Sequence, residues 1–113
     1  MRRLALTMAF LSVLGFSGCS DSESTAVASG EALYLQPHSD GNTFACASCH
    51  ALEEPAPDGI RRPGHPIGDA ANRPSFKNGQ LDVLLDAVNS CRVEWMGAPA
   101  FSEADPRWIA LLE

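Results

Sequence analysis

The sequence predicts a small all-α domain of about three to four helices joined by long loops. Three observations carry that expectation. Residues 80–95 set Leu81, Leu84, Leu85, Val88, Cys91 and Trp95 at steps of three and four, which draws one apolar stripe along a helix. The prolines and glycines between Glu53 and Phe76 forbid long regular elements and leave loops with room for one helical turn. No stretch alternates apolar and polar residues as a half-buried strand does, and no repeat is present. At 113 residues and 45% apolar content, the chain has material for one compact domain.

Residues 1–18 read as an export signal. Arg2 and Arg3 supply the positive start, and the uncharged run from Leu4 to Phe16 is too short to span a bilayer comfortably. A buried N-terminal helix is the competing reading. The run closes on Phe16, Ser17, Gly18 and Cys19, which resembles a bacterial lipoprotein signal, with Cys19 as the lipidated residue. An ordinary signal peptide would instead leave Cys19 as a stray thiol. Residues 19–29, rich in Ser, Thr and Ala, read as a flexible tether ahead of a domain over 30–113. The expected location is the bacterial cell envelope, facing the periplasm, with the membrane reached through the lipid anchor alone. The full chain carries a formal net charge of −6, and loss of Arg2 and Arg3 makes residues 19–113 two units more acidic. Such a surface repels nucleic acid and suits a basic partner or simple solubility.

Within the domain, a first short helix is expected over Gly30 to Gln36, stopped by Pro37. Cys46, Ala47, Ser48, Cys49 and His50 follow as a C-x-x-C-H run, the haem-attachment pattern. Two thiols three positions apart on a turn can each form a thioether to a porphyrin vinyl group, and the adjoining imidazole then reaches the iron. Covalent attachment holds a cofactor without a large pocket, which suits a small exported domain. Zinc or dithiol chemistry would use the same cysteines. A zinc site needs a second close pair of ligands that His38, His65 and Cys91 do not form, and no strand-rich setting for a redox dithiol flanks Cys46. One motif implies one covalent haem c.

The helix over Gln80 to Trp95 takes Asn78 as N-cap and Asp82 in its first turn, and Gly97 terminates it in a left-handed conformation. A last helix starts at Asp105 with Pro106 in its first position and turns Trp108, Leu111 and Leu112 inward. Met96 is the only methionine of residues 19–113, so a thioether ligand to the iron has to be this residue. It is otherwise a gap-filler in the core. Cys91 shares a face with Leu84 and Val88 and reads as a small buried hydrophobe, with a thiolate ligand or a disulfide-linked partner as alternatives. His38 reads as a solvated loop residue, and the acidic residues as scattered over exposed positions.

Cys46 to His50, then far downstream Met96, Gly97, Ala98, Pro99, Ala100 and Phe101 followed by a helix, resemble a class I cytochrome c over roughly residues 30–113. The family's Met-Pro-Ala-Phe segment is matched with Gly97 and Ala98 inserted between Met96 and Pro99. Gly64, His65, Pro66 and Ile67 loosely resemble its Gly-Pro-x-Leu segment beside the proximal histidine, which implies that His65 lies on that side. The resemblance implies a fold of helices and long loops around one haem, a helix before the motif crossed by the terminal helix, and His50 and Met96 as axial ligands.

The function these features imply is single-electron transfer with redox-protein partners, another cytochrome, an oxidase or a dehydrogenase. It is a carrier rather than an enzyme, because the chain lacks the paired acid and base groups of a catalytic pocket. The alternatives are a haem subunit of a periplasmic oxidoreductase, for instance in sulfur-compound oxidation, with Cys91 or an open position at the iron, and a sensor of diatomic gases with a labile ligand.

Overall fold

The computed structural model describes residues 28–113. The expected leader, Cys19 and most of the tether lie outside the described residues. Among the described residues four α-helices form in the order α1 (Gly30–Leu35), α2 (Cys46–Cys49), α3 (Leu84–Glu94) and α4 (Pro106–Leu112), with a 3₁₀ turn at Ala70–Asn72 between α2 and α3. Among the described residues the only strand-like pairing is one isolated antiparallel bridge, Phe76 to Leu81. No helix there is long and apolar enough to cross a membrane.

The first and last helices follow their local signals. Ser29 caps α1 by accepting from the Ala32 amide at 3.2 Å, and the chain leaves the helix at Gln36, ahead of Pro37. Asp105 caps α4 by accepting from the Arg107 amide at 2.9 Å, with Pro106 in the first turn. The two helices pack backbone to backbone. A Cβ on Gly30 would collide with the Ala110 carbonyl oxygen and lie 3.3 Å from the Leu111 Cα. Glycine is thus a steric requirement of the crossing.

The third helix departs from expectation at its start. It begins at Leu84 after Val83, which makes no side-chain cap bond, and not at Gln80 behind an Asn78 cap. Lys77, Asn78 and Gly79 hold positive φ of 49°, 57° and 81°, so Asn78 uses its tolerance of left-handed backbone in a turn. The turn lets the Phe76 amide donate to the Leu81 carbonyl at 2.7 Å, which removes Leu81 from the helix. The end is as expected, with Gly97 at φ 61°. Trp95 caps the helix but stands 66% exposed, outside any apolar stripe.

The core is assembled from Leu33, Ala45, Ala51, Met96, Ala98, Phe101 and Trp108. The one residue α3 buries completely is Arg92, at 1% exposure, whereas Leu84, Leu85, Val88 and Cys91 are only partly covered. Of the three residues expected to face inward from α4, Trp108 is buried, Leu111 partly so, and Leu112 is exposed. His38 is not a solvated loop residue. It is 5% exposed, because its Nε2–H donates to the Leu33 carbonyl at 2.8 Å and its Nδ1 accepts from Arg92.

Candidate functional site

Cys46 and Cys49 sit on the single turn α2, and His50 is its C-cap. Ser48 makes that turn possible at so short a length: its hydroxyl accepts from the Ala45 amide at 3.0 Å, and its own amide donates to the Ala45 carbonyl at 3.0 Å. The His50 amide closes the turn on the Cys46 carbonyl at 3.0 Å. From α1, the Tyr34 hydroxyl donates to the His50 carbonyl at 2.6 Å, which ties the turn to the first helix.

Downstream chain wraps this segment. The amides of Gly64, Ile67 and Gly68 donate to the carbonyls of Cys49, Ala51 and Leu52 at 2.7, 2.9 and 2.8 Å. Arg62 Nε donates to the Ala47 carbonyl at 3.1 Å. The His50 ring rests on Gly64, where a Cβ would lie 2.5 Å from Nδ1 and 2.7 Å from the Cys49 carbonyl oxygen. Its Nδ1 is 2.8 Å from the His65 carbonyl oxygen. A carbonyl only accepts, so Nδ1 carries the proton and the lone pair of the neutral ring is left on Nε2. An imidazole so oriented is able to ligate a metal through Nε2, with the carbonyl as its outer partner. His65 contributes through its backbone, and its side chain is exposed.

Met96 is buried, at 5% exposure. Main-chain bonds bring it toward the motif. The Asn42 amide donates to the Met96 carbonyl at 2.7 Å, its Nδ2 donates to the Trp95 carbonyl at 2.8 Å, and its Oδ1 accepts from the Phe44 amide at 2.9 Å. Cys46 lies four positions beyond Asn42, a reach of at most about 14 Å. Gly41 lets the loop approach, since a Cβ there would stand 2.8 Å from the Met96 carbonyl oxygen.

Burial pushes the Cys46 and Cys91 thiols up, and the charges of Cys91 and Cys49 add to the rise at Cys46. Cys91 of α3 therefore lies within electrostatic reach of both motif cysteines. Among the described residues no three His, Cys, Asp or Glu side chains gather to hold a metal ion by themselves. A cleft of about 490 Å³ between the 77–81 turn and α3 is lined by residues such as Lys77, Leu81 and Glu94, and by none of the motif residues.

A second group of side chains, invisible to motif reading, surrounds Phe101. Arg92 donates to Asp40 Oδ2 at 3.0 Å, to the Pro99 carbonyl at 2.9 Å and to His38 Nδ1, and stacks with its Cζ 3.6 Å from the Phe101 ring centre. Arg107 donates to the same Asp40 oxygen at 2.6 Å and to Asp105 at 2.9 Å, with its Cζ 4.9 Å from that ring. The only signal in the sequence was an arginine at an inward helical position. Comparisons with protein-family models, with curated proteins and with solved structures found no match.

Proposed function

We propose that residues 30–113 carry one haem c bound covalently through Cys46 and Cys49, with His50 and Met96 as axial ligands, and that the protein transfers single electrons between redox proteins. The observation that carries the reading is the tautomer of His50, whose Nδ1–H is committed to the His65 carbonyl while Nε2 stays free to ligate. The donor set fits the group. Two thiols on one turn, an imidazole held flat by a glycine, and a single thioether on a tethered loop are the donors such a cofactor uses. When bound, the haem supplies a one-electron iron couple, and a neutral thioether ligand raises its potential. Gly64 and the His65 carbonyl hold the imidazole, Tyr34 holds the main-chain carbonyl of His50, and the 41–44 loop holds the backbone of Met96. With His50 and Met96 both ligating, the iron would keep no open position for a substrate, which favours a carrier. Export as a lipoprotein modified at Cys19 places it at the cell envelope.

One observation favours a second reading, a haem subunit of an oxidoreductase with Cys91 at the iron: the Cys91 thiol lies within electrostatic reach of Cys46 and Cys49.

The test is a visible spectrum of protein made in a bacterium with haem-attachment machinery. A methionine-to-iron charge-transfer band, indifference of the reduced protein to carbon monoxide, loss of both in Met96→Ala and retention in Cys91→Ala are expected. The opposite response of the two variants supports the second reading. A colourless product, or pigment extracted by acid-acetone, sinks both.

A further inference from the structure

We infer that Arg92 is a positioning residue for Met96: a clamp of Arg92, Asp40 and Arg107 around Phe101 holds the segment 96–101 in the one conformation that presents the thioether. The inference rests on the ligation by Met96 proposed above. The segment is fastened to α3 at several points. The Met96 amide donates to the Cys91 carbonyl at 3.1 Å and the Ala98 amide to the Arg92 carbonyl at 2.9 Å. Asn89 brackets Phe101, donating to its carbonyl at 2.9 Å and accepting from its amide at 2.7 Å. Arg92 Nε takes the Pro99 carbonyl between them. The remaining donors of Arg92 reach outward to Asp40 and His38, on the loop whose Asn42 holds the Met96 carbonyl. Both flanks of Met96 are thus bonded to structures that meet at one guanidinium.

Stability alone is a poor reason for such a cluster. Arg92 is 1% exposed, and Asp40 Oδ1 is buried with no hydrogen-bond partner. Buried ion pairs are often replaced by apolar residues without loss, so a half-satisfied carboxylate is better explained by the position it enforces. The planar fork of an arginine also matters, because one side chain has to serve a carbonyl, a carboxylate and an imidazole in different directions. Lysine carries the charge without the fork.

The experiment uses haem-loaded wild type, Arg92→Lys and Asp40→Asn, with circular dichroism to establish that each is folded. Saturating imidazole is added to the ferric protein, and the bleaching rate of the charge-transfer band is read, a rate limited by departure of Met96 from the iron. Release roughly tenfold faster in both variants, with the band present at the outset, is expected for the loss of charge-assisted bonds on the segment. A folded Asp40→Asn with wild-type release overturns the clamp even if Arg92→Lys fails to fold. A wild type without the band overturns the ligation itself, and a separate cause is thereby identified.

Discussion

A methyl group at Gly64 would stand 2.5 Å from Nδ1 of His50 and 2.7 Å from the Cys49 carbonyl oxygen, and neither neighbour is the loose end of a flexible chain. The ring can yield only by giving up its bond to the His65 carbonyl. Gly64→Ala is therefore expected to destabilise the protein by about 1–3 kcal/mol, the usual range for overpacking a close contact. Urea unfolding followed by circular dichroism measures it, and an unchanged midpoint would show that the imidazole is not wedged. At this scale the motif is legible in sequence because its chemistry is local: five adjacent residues carry two thiols and an imidazole. Arg92, Asp40 and His38 are not, since the bonds of Arg92 to the other two span 52 and 54 positions. Charge in a sequence reads as solvated, and only the tertiary structure shows a guanidinium with four partners in a core.

Among the helices, legibility follows the strength of the end signals. Asp105 followed by Pro106 marks α4 in both sequence and structure, as Pro37 marks the end of α1. The start of α3 is misread because Asn78 satisfies two rules at once, and the left-handed turn wins where Phe76 and Leu81 can pair. The crossing of α1 and α4 has no signal in periodicity, since it depends on a missing side chain. Alanine is favoured over glycine in a helix by about 1 kcal/mol. A Cβ on Gly30 nonetheless meets the fixed carbonyl of Ala110, and overpacking costs about 1–3 kcal/mol. The contact term is the larger, so Gly30→Ala is expected to lower the urea midpoint. A higher midpoint would mean that the helices part without penalty.

Across the whole molecule, the charged cluster joins α1, the 38–42 loop, α3, the 96–101 segment and α4, and it makes stability depend on pH. Burial pushes the Asp40 carboxyl up, but the hydrogen bond from Arg107 and the charges of Arg92 and Arg107 outweigh it and hold the group below its ordinary value. The bond from Arg107 likewise holds Asp105 down. A carboxyl lowered in the folded state contributes stability that is complete above its unfolded pKa, about 4, and is lost as pH falls through the folded value. The Cys91 thiol, raised by burial, has the opposite sign: its contribution is complete below the ordinary thiol value, about 8.5, and is lost above it. The urea midpoint of the protein should therefore be highest between about pH 5 and 8. Asp40→Asn isolates the part that belongs to Asp40, because it removes that carboxylate alone. Wild type should be the more stable at pH 7, and the gap should close as the pH drops below about 4, where the native carboxyl takes up the proton the variant never had to bind. A gap independent of pH would mean that Asp40 acts by shape alone, and that the arginines of the core are balanced by something other than its charge.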